Sequence, residues 1–95
     1  MPDDRAWPWD RLIEASDEIG PRAMKLTVYP NTAAGYALGT AHIAALRAGG
    51  VRYSLRSTED EEYPFGVFVL PADTARAVRI IRIVGLGSDM KLAQP

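Results

Sequence analysis

Between Met24 and Val84 the apolar positions change their period several times, and each change marks an element. Met24 to Tyr29 alternates, with Leu26 and Val28 on one side and Lys25, Thr27 and Tyr29 on the other, which predicts a strand that Pro30 ends. Asn31 is a good N-cap for the Ala-rich helix that follows and stops at Gly49-Gly50. Gly35 and Gly39 soften that helix, and with Ile43 and Arg47 they lie four apart on one stripe, as expected of close packing on a sheet or a second helix. Residues 51–57 alternate again, with Val51, Tyr53 and Leu55 facing the core and Arg52, Ser54 and Arg56 facing out. An acidic connection follows, and then residues 65–70, apolar on both faces, predict a central strand. Pro71-Ala72-Asp73 ends it and is expected to cap a helix over residues 74–84. The β-branched density of residues 78–84 leaves a fourth strand over residues 80–84 as the alternative. Gly85-Leu86-Gly87-Ser88 should close the domain, with a loose tail after Asp89.

Residues 1–23 read as a separate N-terminal helical arm, and residues 24–95 as the α/β sandwich domain. In the arm, Trp7 and Trp9 flank Pro8. Asp10 is placed to cap a helix running to about Ile19, which Gly20-Pro21 ends. Trp9, Leu12, Ile13, Ser16 and Ile19 share one helical face. That face is expected to cover a sheet face or edge of its own domain. The alternative is an anchor that inserts Trp9 and Ile13 into a partner's groove.

Size narrows the function. A chain of 95 residues is one domain, and a domain of that size buries only about 60–65% of its unfolded surface, which leaves little material for a deep enclosed site. There is no cysteine, hence no disulfide framework and no thiolate zinc site. The acidic start Met1-Pro2-Asp3-Asp4 lacks an apolar stretch, so no signal peptide and a cytoplasmic location are expected. Residues 26–46 are uncharged apart from His42, yet Ala, Gly and Thr dominate there and Pro30 and Asn31 interrupt, so no membrane span is expected.

Charge changes the picture more than composition does. The net charge of −1 names no partner, but the charges lie in blocks. Residues 1–23 are acidic on balance; Lys25, Arg47, Arg52 and Arg56 follow with no acid among them; Glu59, Asp60, Glu61, Glu62 and Asp73 come next; Arg76, Arg79 and Arg82 close the series. Folding either neutralises these blocks against one another or leaves an acidic tip and a basic face that can steer a partner. The four carboxylates at 59–62 lack the alternating ligand spacing and the glycine of a calcium loop, so no metal is expected there. His42 is the one histidine, with no zinc or catalytic pair visible around it, and is expected at the surface or partly buried.

Lys25-Leu26-Thr27-Val28-Tyr29, the Ala-rich helix ending Leu46-Arg47-Ala48-Gly49-Gly50-Val51, residues 65–70, Pro71-Ala72-Asp73 and Arg76-Ala77 together resemble a family of small bacterial ferredoxin-like domains described as signal-transducing. The likeness covers residues 24–84. It implies an α+β fold, a βαββα two-layer sandwich here carrying an N-terminal helical extension, and a non-catalytic regulatory role. The family usually has an acid in the first helix, and this chain has none; the 1–23 arm has no counterpart either.

The expected function is that of a small non-enzymatic protein-binding regulatory module without a cofactor. Its expected contacts to a larger protein are Trp7, Trp9, Glu59, Asp60, Glu61, Glu62, Arg76, Arg79 and Arg82. One variant is a phage-encoded anti-defence inhibitor of a nucleoprotein complex, such as an anti-CRISPR protein, whose acidic tip mimics phosphate. Nucleic-acid binding through Tyr29, Tyr53, Phe68, Arg52 and Arg56 is the other alternative, disfavoured because an acidic tip repels phosphate. An enzyme would have to work with His42, Tyr29, Tyr53 or a tip carboxylate, and nothing in the sequence joins two of these. Three strands leave two edges, which pairing in a homodimer would protect.

Overall fold

The computed structural model describes residues 7–88. In chain order these form α1 (Trp9–Ala15), β1 (Met24–Tyr29), α2 (Ala33–Ala48), β2 (Tyr53–Ser57), β3 (Phe65–Val69) and α3 (Thr74–Ser88). The three strands make one antiparallel sheet in the order β1-β3-β2. The apolar β3 is therefore central, as its two-sided pattern requires. The chain is an α+β domain with three helices and a three-stranded antiparallel sheet, and α3 packs on both α2 and β1.

Each element keeps to local physics, with instructive departures. Thr32, not Asn31, caps α2: its hydroxyl accepts from the Gly35 N–H at 2.9 Å. Asn31 is diverted, its carboxamide oxygen accepting from the Trp9 indole N–H at 3.0 Å. At its other end α2 closes as a Schellman motif. Val51 N–H reaches the Leu46 carbonyl, Gly50 N–H reaches that of Arg47, and Gly50 takes φ +75°, open to glycine at no steric cost. Gly35 is a close approach of another kind, since a Cβ there would collide with the Pro30 carbonyl.

α1 ends at Ala15 and not near Ile19, and its N-cap is Pro8, with Asp10 in the first turn. The helix stops because Ser16 and Asp17 are used elsewhere. Asp17 N–H donates to the Tyr53 carbonyl at 2.9 Å, and Leu55 N–H donates to the Ser16 hydroxyl at 3.0 Å. The arm thus seals the outer edge of β2.

Four further expectations change. The ladder slips between Lys25 and Thr27, so Leu26 and Val28 do not share a face: Leu26 packs on the core, whereas Val28 pairs with Gly66 on the far side of the sheet. Ser54 faces away from the core but is buried, because Arg56 folds over it. α3 is helical throughout residues 80–84 and continues to Ser88, so the alternative strand and the closure at Gly85 both give way. Pro71–Asp73 forms a 3-10 turn leading directly into α3, which moves the cap back to Leu70 and leaves Asp73 out of it. The tail after Asp89 lies outside the described residues.

The core joins Tyr29, Ile43, Leu46, Val51, Tyr53, Leu55, Val67, Val69 and Ala77 to one residue of the arm, Trp9. Trp9 is only 2% exposed. Its ring stacks on Phe65 with centroids 4.3 Å apart and planes 11° apart, and it meets Tyr36 edge-on at 5.2 Å. Gly39 makes room for it: a Cβ there would sit 3.2 Å from the indole. Burying an aromatic side chain of this size is worth on the order of 4–6 kcal/mol. Trp9→Ala is therefore expected to cost about 3–5 kcal/mol in urea denaturation, a large share of a small domain's stability. Trp7→Ala, at a half-buried ring stacked 5.8 Å from Tyr36, is expected to cost much less. Equal, small effects of both would mean the arm is peripheral.

Candidate functional site

The acidic tip connects β2 to β3. It is a structured loop: the Thr58 hydroxyl donates to the Tyr63 carbonyl at 2.6 Å, and Thr58 N–H donates to the Pro64 carbonyl at 2.7 Å. Asp60 is consumed in building it, one carboxylate oxygen accepting from Glu62 N–H at 2.8 Å and Tyr63 N–H at 3.4 Å. Glu59, Glu61 and Glu62 are left exposed on that frame. Among the described residues no group of three or more His, Asp or Glu side chains could hold a metal ion.

The arginines make their bonds to carbonyls, hydroxyls and a ring. Arg76 donates to the Gly49 carbonyl at 2.7 Å, tying α3 to the end of α2. Arg47 reaches the Tyr53 hydroxyl at 3.4 Å. Arg79 and Arg82 are exposed. The tip follows the C-terminal end of β2, whereas Gly49 lies beyond the opposite end of the sheet, so Arg76 and the tip are far apart. The tip is thus distant from Arg76, whereas the acidic arm lies against the basic strand β2, Glu14 and Glu18 lining one groove with Arg56.

The face of the sheet away from the helices carries Lys25, Val28, Ser54, Arg56, Gly66 and Phe68, which the two registers line up across the three strands. Arg56 sits over Phe68, 4.9 Å from the ring centre, and donates to the Ser54 hydroxyl at 3.0 Å and the Gly20 carbonyl at 2.8 Å. Beside it, a groove of about 850 Å³ runs between the arm and β2, lined by residues including Ile13, Glu14, Glu18, Arg56 and Ser57.

Of the expected contacts, Glu59, Glu61, Glu62, Arg79 and Arg82 are at the surface, while Asp60 and Arg76 are exposed but engaged in structure. Trp7 is half-buried against Tyr36. Trp9 is corrected: it is a core residue and offers no surface to a partner. Tyr29 and Tyr53 also point into the core, 0% and 2% exposed, so neither is available to stack on a base.

Sequence reasoning missed one pair. His42 is buried, and its Nδ1 lies 2.7 Å from the Tyr29 hydroxyl. Burial pushes the tyrosine's pKa up and the histidine's down, so both are held neutral. The available signal was weak: Tyr29 ends a strand and His42 lies three turns into the following helix, a separation that lets them meet only when the helix folds back on its own strand. No family model matches the chain, nor does any curated protein or solved structure. Among the described residues no helix is long and apolar enough to cross a membrane.

The lowered histidine pKa has a signed consequence. Unfolded His42 takes a proton near pH 6.5, folded His42 only at lower pH, so the unfolded state binds more protons in between. Its contribution to stability is present above about pH 6.5 and is lost as pH falls through the folded value. His42→Gln should flatten the fall in unfolding free energy between about pH 7 and 5. An unchanged slope would show that burial does not hold the ring neutral.

Proposed function

We infer that this chain is a non-enzymatic protein-binding module of regulatory type, with a ferredoxin-like sandwich as its scaffold. The strand order β1-β3-β2, with α2 crossing over the sheet from β1 to β2, supports the split βαβ reading of residues 24–84. The observation that carries the functional reading is the charge exposed at two places on the surface. Glu59, Glu61 and Glu62 are held out on a loop that Asp60 and Thr58 order, and Arg79 and Arg82 are exposed on α3. Exposed charge on an ordered frame fixes orientation and speeds encounter with a charged protein surface.

The ordered tip also favours one variant, an inhibitor that presents three carboxylates as a phosphate mimic to a basic protein channel. Nucleic-acid binding draws less support, because the half-exposed aromatic Phe68 on the open face is already covered by Arg56, two of whose donors are held by Ser54 and Gly20.

The test is an affinity pull-down from host lysate, with and without nuclease. A stoichiometric protein that survives nuclease is expected. It should be lost when Arg79 and Arg82 are both changed to Glu, or when Glu59, Glu61 and Glu62 are all changed to Gln. Material that disappears with nuclease would overturn the reading in favour of nucleic acid.

A further inference from the structure

The sheet has two edges, and the chain treats them differently. At β2, Tyr53 and Leu55 turn their backbone groups outward to Asp17 and Ser16, so that edge is occupied by the arm. Strand geometry then fixes the other edge. Backbone groups alternate sides, so Ser54 and Arg56 bond to their partners Phe68 and Gly66, while Phe65, Val67 and Val69 turn toward β1. Their register partners there are Tyr29, Thr27 and Met24. Alternation then directs the N–H and C=O of Lys25 and Val28 away from β3.

The surroundings of this free edge are basic and partly apolar. α3 lies over β1. Arg76 reaches Gly49, and Ile80 lies close to Gly49, so that side of α3 faces α2. At 100° per residue, Val78 and Arg82 fall on the opposite flank, overhanging the outer side of β1. Met24 is 49% exposed at the start of the strand. Neither β1 nor α3 contains a single acid, while Lys25, Arg79 and Arg82 are all exposed.

We propose that the outer edge of β1 is a strand-addition site for an extended acidic peptide of a protein partner. The peptide's backbone pairs with Lys25 and Val28, its carboxylates meet Lys25 on the open face, its alternate apolar side chains tuck under α3 beside Val78, and the exposed Arg79 and Arg82 add longer-range attraction. Charge decides against a second copy of this chain. Antiparallel pairing of two β1 strands would bring both sets of Lys25 and α3 arginines to one seam. A nucleic acid has no peptide ladder to offer this edge.

The proposal rests on the protein-binding reading, and its test separates the two. The full chain, labelled with nitrogen-15, is titrated with acetyl-Glu-Val-Glu-Val-Glu-Val-Glu-amide. Saturable shifts and slowed amide exchange are expected at Lys25 and Val28, weakening in about 0.5 M salt. The equivalent Lys-Val peptide should not bind. Val28→Pro removes an outward donor without touching the β1–β3 ladder, so it should keep the fold and weaken binding about tenfold or more. Should that variant unfold, Lys25→Glu is expected to give the same loss on an intact fold, and Arg82→Glu a smaller loss that salt removes. Shifts confined to the groove beside Ser57 or to the Phe68 face, equal binding of the lysine peptide, or no saturable binding would overturn the proposal. So would a stronger response of the same amides to a thymidine oligonucleotide, or a dimer that Val28→Pro dissociates. A lysate partner kept equally by wild type and Val28→Pro overturns the edge assignment and leaves the module standing.

Discussion

The stack of Trp9 on Phe65 is the contact on which the rest of the structure depends. A sheet of three short strands with two helices on one face has little to bury. Trp9 supplies the largest fully buried side chain from outside the βαββα segment. Its placement imposes conditions elsewhere. Gly39 must lack a side chain, Asn31 must leave the cap to Thr32 in order to accept the indole N–H, and α1 must end in time for Ser16 and Asp17 to reach β2. The arm is thereby a working part of the domain, supplying a core residue and an edge cover at once.

From that arrangement the surface follows. Once the arm has closed the β2 edge, its crossing back to β1 brings Gly20 under Arg56, and Arg56 seats itself on Phe68. The aromatic on the open face is thus occupied from within. What stays unengaged lies elsewhere: three glutamates at the tip and the acid-free side made by β1 and α3. In the proposed reading, binding uses edges and charge, as suits a domain of this size.

Elements whose pattern is set locally were legible in the sequence. Alternation in residues 51–57, two-sided apolarity in residues 65–70 and the Gly49-Gly50 stop each encode their own outcome, with β2 starting at Tyr53 and β3 ending at Val69. The β1 bulge was not legible, because alternation predicts faces only for an unbroken ladder. The choice of Thr32 over Asn31 depends on where Trp9 lands, and the early end of α1 depends on bonds to a strand 36 residues away. Likewise, Trp9 as a surface anchor and Trp9 as a core residue leave the same helical spacing, and only the space at Gly39 distinguishes them. The Tyr29–His42 pair was hidden because neither residue signals a partner without the helix folding back.

Native-state hydrogen exchange tests most directly whether the arm and the sheet form one cooperative unit. The decisive amides are Asp17, which donates to Tyr53 of the edge strand, and Leu55, which donates to Ser16 of the arm. If the Trp9 stack binds arm to sheet, both amides open with the same free energy as those of the central strand β3. If they exchange at a markedly lower free energy, the arm peels away while the sheet stays folded, and the account is wrong about what holds this domain together.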